Sequence, residues 1–95
     1  MPEIYNLKYP VVWYVYIVRC VDNSLYTGIT TDIERRMRQH NSDIRGGAKY
    51  TRMRRPVCLV YAESVSSRSM AAKREYEIRN LNKIEKEALI SLYQT

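Results

Sequence analysis

Phenylalanine is absent from this 95-residue chain, which nevertheless carries nine tyrosines and one tryptophan. A demand for rings in the core alone would draw on Phe as well, so the bias toward hydroxyl-bearing rings points to tyrosines with polar work to do. Cysteine is scarce. Cys20 and Cys58 are the only two, and one pair is not the disulfide framework of a small secreted domain. They are expected to be reduced, buried thiols. With His40 as the single histidine, a Cys/His zinc site is excluded. No apolar run approaches the length of a membrane span. The N-terminal MPEIYNLKYP lacks the basic-then-apolar layout of a signal peptide, and the expected location is the cytoplasm.

What is present describes one small globular domain. Hydrophobic residues make up 45% of the chain, which separates it from disordered sequences. Its length leaves no room for a second core. The formal net charge of +6, from 16 Lys+Arg against 10 Asp+Glu, favours a polyanionic partner, most often nucleic acid.

Residues 1–10 hold two prolines and no clear period, and are expected to form a poorly ordered lead-in to a single domain over residues 11–95. Val11 to Val21 is a run of Val, Ile, Tyr and Trp, which is strand composition. Asp22-Asn23-Ser24 is a turn cluster, and Leu25 to Ile29 reads as a second strand, so the two form an antiparallel hairpin. Thr31-x-x-Glu34 reads as a capping box opening a helix that runs to His40 or Asn41. Asn41 to Arg55 reads as a loop closed by Pro56, and Val57 to Ala62 as a third strand. Ser66 to Ser69 supply N-caps for a helix over Met70 to Leu81. Asn82-x-x-Glu85 opens a last helix whose apolar stripe is Ile84, Ala88, Leu89 and Leu92. The expected class is α+β, a three-stranded antiparallel sheet flanked by helices in the order β-β-α-β-α-α.

Four features exceed a structural account. Tyr16 and Tyr26 lie ten residues apart on one hairpin; cross-strand packing alone would also explain them. Arg36 and His40, at i and i+4, share a helix face beside the apolar stripe of Ile33 and Met37; an amphipathic stripe edge is the plainer reading. Glu75 lies on a stripe with Ala71 and Ile78, where a carboxylate is costly without a cation. Its partner is either a nearby arginine or a hard divalent metal such as Mg²⁺. Arg45, Lys49, Arg52, Arg54 and Arg55 crowd one loop that holds no carboxylate between Arg45 and Arg55, which suits a phosphate backbone as well as it suits solvent. Phosphodiester hydrolysis asks for such a set: a base for water, and a metal and an arginine for the charge developing on phosphate.

In this combination the chain resembles the GIY-YIG nucleases. Tyr14-Val15-Tyr16 stands at the first motif and Tyr26-Thr27-Gly28 at the second. YTGITTDIERRMRQHN matches the densest region and RSMAAKREYEIRNL the helix bearing the metal-binding glutamate. The likeness runs from Trp13 to Leu92 and is strongest to the small bacterial branch, the UPF0213 group. Through GGA-x-x-T and Arg-Arg-Pro the chain is also similar to the nuclease domain of the Slx1 structure-specific endonucleases. The resemblance implies a three-stranded antiparallel sheet with flanking helices and a DNA endonuclease activity, on branched or single-stranded forms, of the kind used in DNA repair. It implies Tyr16 as general base or water-positioning phenol, Tyr26 as a hydrogen-bonding partner in the same site, Arg36 as phosphate ligand, His40 as proton-transfer or orienting group, and Glu75 as the single protein ligand to Mg²⁺ or Mn²⁺. The first motif's glycine is Tyr14 here, and Ile29 stands where some members carry a lysine. Many members attach the nuclease to a separate DNA-reading domain. None lies within these 95 residues, so recognition is expected to rest on Lys49, Arg52, Arg54 and Arg55, with an accessory protein supplying specificity. The alternative reading is a nucleic-acid-binding module that uses the basic loop without catalysis.

Overall fold

A computed structural model describes residues 11–41 and 45–94; the expected lead-in over residues 1–10 lies outside them. The elements are β1 (Trp13–Arg19), β2 (Leu25–Thr30), α1 (Ile33–His40), a short α2 (Lys49–Arg52), β3 (Cys58–Val65), α3 (Arg68–Arg79) and α4 (Lys83–Gln94). This is the expected α+β order with one four-residue helix added inside the segment read as a loop. The sheet order is β2-β1-β3, and both pairings are antiparallel.

β1 is central because it is apolar on both faces. Val15, Tyr16, Ile17 and Val18 are all fully buried. Successive strand side chains point to opposite faces, so β1 feeds two cores. On one face Val15 and Ile17 pack with Tyr61, Ala71, Ile78 and Ile90, contributed by β3, α3 and α4. On the other, Tyr16 and Val18 pack with Cys20 and Val57 beneath Ile33 and Met37 of α1. Each layer is thin, and β1 is the wall they share.

The chain ends its elements where local chemistry allows. Asn23, the turn residue between β1 and β2, holds φ 69°, a left-handed conformation that Asn tolerates. The Oδ1 of Asp22 accepts from Ser24 N at 3.0 Å. β2 continues through Thr30, so the N-cap of α1 is Asp32, whose carboxylate accepts from Arg35 N at 3.1 Å, rather than Thr31. Ser67, one of the expected caps, caps α3, which begins at Arg68, two residues earlier than expected. The Asn82–Glu85 box forms reciprocally: Asn82 N donates to Glu85 at 2.9 Å and Glu85 N to Asn82 at 2.8 Å.

Two expectations fail. Of the expected α4 stripe, Leu89 packs against the core, but Ile84, Ala88 and Leu92 are exposed. Ile84 and Leu92 are 81% and 74% exposed, while Ile90 is 3% exposed. The rotation of α4 is set by Ile90 in the core and by Glu87, three residues earlier, which takes both guanidinium nitrogens of Arg19 at 2.7 Å. Cys58 is an exposed free thiol, because it opens edge strand β3 at the end of the ladder; only Cys20 is buried.

One close approach governs the α1 face of the sheet. Gly28 is paired with Tyr16, and a Cβ placed on it would meet the ring carbon Cζ of Tyr16 at 2.7 Å. The ring lies in the space that a side chain at 28 would fill. Gly28→Ala is expected to destabilise the fold by about 1–3 kcal/mol through overpacking, read as a lower midpoint in urea denaturation. An unchanged midpoint would mean that the ring does not occupy that space.

Candidate active site

The register that pairs Tyr16 with Gly28 also pairs Val18 with Tyr26. Tyr16 and Tyr26 are therefore diagonal neighbours on the face covered by α1. The last turn of α1 delivers His40 between them. Its ring lies edge-on to both, with centroids 5.7 Å from Tyr16 and 5.3 Å from Tyr26. His40 is fully buried, and its backbone is pinned by Arg55, whose Nε donates to the His40 carbonyl at 2.6 Å. Asn41 then ties this end of α1 to the start of β3, bonding both the N–H and the carbonyl of Val57.

The polar groups form one directed chain. The Oγ1 of Thr51, itself buried, donates its proton to the Ala48 carbonyl at 2.9 Å. Its oxygen is then left to accept from Nδ1–H of His40, 2.9 Å away. This fixes the tautomer of a neutral imidazole: Nδ1 carries the proton and Nε2 offers a lone pair. The Tyr16 hydroxyl, 2.7 Å from Nε2, donates to it. The same phenolic oxygen accepts from Nε of Arg36 at 3.1 Å.

Arg36 is held by two further acceptors on its Nη1: Gln39 Oε1 at 3.0 Å and the Gly46 carbonyl at 2.6 Å. Gly46 has φ 112°, a conformation that requires glycine. Nη2 has no internal partner among the described residues, so one edge of the guanidinium remains available for an anion.

The environment keeps both members of the Tyr16–His40 pair neutral. Burial pushes the Tyr16 phenol up to about 12, against the opposing pull of Arg36. Burial, together with the positive charges of Arg36 and Arg55, holds His40 down to about 4.

Glu75 projects from α3 between the fully buried Ala71 and Ile78 and is half-buried itself. It makes no side-chain hydrogen bond or ion pair among the described residues, yet its charge is one of the influences raising Tyr16. A half-buried carboxylate left without a cation, in a chain of net charge +6, has the chemistry of a ligand for a hard divalent ion that keeps most of its waters. No group of three or more His, Cys, Asp or Glu gathers among the described residues.

The cations of the basic segment divide. Arg54 stacks its guanidinium carbon 4.0 Å from the Tyr50 ring centroid and pairs with Asp22 at 3.2 Å. Arg55 serves His40. Lys49 and Arg52, on α2, are exposed and have no side-chain partner among the described residues. Arg45 is likewise exposed.

Three members of the cluster escaped sequence reasoning. Thr51 orients His40, Tyr50 stacks on Tyr26 at 5.8 Å and 24°, and Gln39 braces Arg36. The signal for Thr51 was its place in GGA-x-x-T, where Gly46 and Ala48 lend carbonyls to Arg36 and Thr51.

The chain is similar to known proteins over most of its length. The family model described as the GIY-YIG catalytic domain matches residues 12–88. A UPF0213 protein of Desulfotalea psychrophila is 56% identical over 78 residues, covering 82% of this chain and 70% of the relative. The solution NMR structure of a UPF0213 protein from Bacillus halodurans shares 47% identity at TM-score 0.54, covering 85% of this chain and 84% of that one. The solution structure of a protein from E. faecalis shares 37% identity at TM-score 0.57, covering 88% of each chain. No helix among the described residues is long and apolar enough to cross a membrane.

The His40 environment has a measurable consequence. In the unfolded chain His40 binds a proton near pH 6.5, and in the folded protein only near about 4. Between these values the unfolded state holds more protons, so His40's contribution to stability is full above pH 6.5 and is lost as pH falls through 4. Urea denaturation at pH 7, 5.5 and 4 is expected to show this decline. In His40→Asn the decline should be shallower, and an identical decline in both proteins would contradict the buried neutral imidazole.

Proposed function

The chain belongs to the GIY-YIG catalytic domain family, a family of nucleases, and on that premise we propose that it is a divalent-metal-dependent endonuclease hydrolysing phosphodiester bonds in DNA, acting in the cytoplasm. The observation that carries this reading is the Tyr16 hydroxyl, held between the Nε of Arg36 and the Nε2 of His40. A phenol placed so has a proton acceptor on one side and an anion-binding group on the other.

Tyr16 is a poor base while it keeps its proton. His40 supplies the way out. The Tyr16 oxygen is fully buried in the free chain, so the step requires that the complex admit a water to it; as that water loses a proton to the Tyr16 oxygen, the phenol's own proton passes to Nε2, and Thr51 steadies the resulting imidazolium at Nδ1. Water thus becomes bound hydroxide as it attacks phosphorus, and the bridging oxygen leaves with a proton from solvent. A free tyrosinate–imidazolium pair is strongly disfavoured by the directions of both pKa shifts, so the transfer belongs to the complex, where the phosphate's negative charge offsets the imidazolium. Arg36 presents its unpartnered edge to the scissile phosphate and stabilises the charge that grows there. Glu75 would hold Mg²⁺ or Mn²⁺, which when bound supplies Lewis-acid stabilisation of the phosphate and leaving oxygens. Tyr26 packs the outer side of His40 and keeps water from it.

Recognition rests on Lys49 and Arg52, the basic-segment side chains on α2 that point outward without internal duties. Arg54 and Arg55 contribute by holding Tyr50 and His40, and add positive charge to the same face. With so small a recognition surface, branched or single-stranded DNA is the expected substrate, with an accessory protein supplying specificity in DNA repair.

A labelled panel of single-stranded, duplex, flap and branched DNA, with Mg²⁺, Mn²⁺ or EDTA, tests the reading. Metal-dependent cutting is expected in the wild type and at least a hundredfold less in Glu75→Ala, with DNA affinity in EDTA retained; equal cutting by both proteins would remove Glu75 from the chemistry. Binding without cutting in every metal would favour the non-catalytic module. Lys49→Ala with Arg52→Ala is expected to weaken binding evenly across DNA sequences and to lower its salt dependence. Unchanged affinity would show that α2 does not face the substrate.

A further inference from the structure

Beside this cluster lies a cavity of about 300 Å³ whose wall includes three consecutive residues of the edge strand β2, Leu25, Tyr26 and Thr27, together with Tyr50, Arg79 and Lys86. It therefore runs along the outer edge of the sheet, between α2 on one side and α3 and α4 on the other. Its volume is at the lower end of small-ligand pockets, roughly 300–1,000 Å³. One wall is Tyr26, the ring that packs on His40, so the cavity adjoins the reacting groups directly. Arg79 lies four residues beyond Glu75 and shares its helix face.

The lining is chemically lopsided. Arg79 and Lys86 come from different helices and converge on one space, and no carboxylate lines it. Neither side chain has a hydrogen-bond or ion-pair partner among the described residues. Of the other cations on the two helices, Lys83 pairs with Glu87, as does Arg19 of β1, and Arg74 pairs with Glu63 and Glu77, while Arg68 and Lys73 stand on the surface without an ion-pair partner among the described residues but do not line this cavity. Two unmatched cations lining one cavity repel, a cost that an anion bound there would relieve. A second cavity of about 300 Å³, lined by Tyr76, Arg79 and Asn80, shares the Arg79 side chain. It extends the track onto α3 beside Tyr76, a residue 72% exposed. Cations alternating with accessible rings are what a single nucleic-acid strand requires.

We infer that the cavity is a subsite for the nucleotide adjacent to the scissile linkage, its phosphate held between Arg79 and Lys86 and the strand continuing past Tyr76. This rests on the nuclease reading and adds to it a direction: the strand leaves the reacting groups along the β2 edge toward α3. Arg79 and Lys86 touch a flanking phosphate and not the reacting one, so they are binding residues whose loss should appear in affinity and KM.

The test compares wild type, Arg79→Ala/Lys86→Ala, and a control of equal charge, Arg68→Ala/Lys73→Ala, altered earlier on α3. Binding of a fluorescein-labelled single-stranded DNA 12-mer is followed by anisotropy in EDTA across a salt series, with cleavage of the same strand in Mn²⁺ run in parallel. The inference expects about tenfold weaker binding for the Arg79/Lys86 pair, a log–log salt slope reduced by about 1, and a near-wild-type control. It expects KM to rise for that pair with kcat within threefold. Equal affinity and slope in the Arg79/Lys86 variant and wild type would overturn the subsite, whether or not the strand is cut. An equal loss in the control would overturn it as well, since the effect would then be net charge. Weakened binding confined to the Arg79/Lys86 variant, with no cutting by wild type, would support the phosphate subsite while removing the nuclease reading.

Discussion

The hydrogen bond between the Tyr16 hydroxyl and Nε2 of His40 joins the centre of the sheet to the end of α1, and much of the molecule is arranged around it. Tyr16 is fully buried on the middle strand, so its hydroxyl has no solvent to fall back on and must find partners inside. His40 and Arg36 provide them. For His40 to be in place, α1 must end where it does, which Asn41 and Arg55 secure. For the Tyr16 ring to lie flat on β2, residue 28 must lack a side chain. One buried tyrosine hydroxyl thus becomes a packing constraint on a glycine, a helix terminus and a loop.

That loop explains how so small a domain holds a polar cluster in its interior. Each buried donor in the chain Tyr16–His40–Thr51–Ala48 has one acceptor, and no described buried side-chain polar atom is left without a partner. A half-satisfied network would cost more than an apolar core. Closing it needs a carbonyl at position 48 and another at Gly46. Both come from the short stretch before α2, which makes a segment that resembles a flexible basic loop part of the site's frame. The cations on it are correspondingly divided: Arg54 and Arg55 hold structure, while Lys49 and Arg52 face outward.

The order of elements was legible because strand composition, capping chemistry and turn residues agree with one another here. The Asn82–Glu85 box and the β1–β2 hairpin follow from side chains acting on their own neighbours. The errors came where tertiary contacts override local pattern. Ile84, Ala88 and Leu92 have helical spacing, but Arg19 and the core turn α4 so that Ile90 and Glu87 face inward. Cys58 reads as a buried thiol until its place at the open end of an edge strand is known. In the cluster, Tyr16, Tyr26, Arg36 and His40 were visible as a motif. Thr51 and Tyr50 were not given roles, because a residue that orients another through one hydrogen bond or one ring contact leaves no periodicity to read. The convergence of Arg79 of α3 and Lys86 of α4 on one cavity was equally hidden, because it exists only in the folded chain.

The protonation of His40 most directly decides this account, since the direction of the relay depends on which ring nitrogen carries the proton. Nitrogen-15 NMR of the single histidine at pH 7 distinguishes the states. The structure calls for a neutral ring with the proton on Nδ1, bonded to Thr51, and an unprotonated Nε2 accepting from Tyr16. A proton on Nε2, or an imidazolium at that pH, would leave the Tyr16 hydroxyl with no acceptor in His40 and contradict the relay.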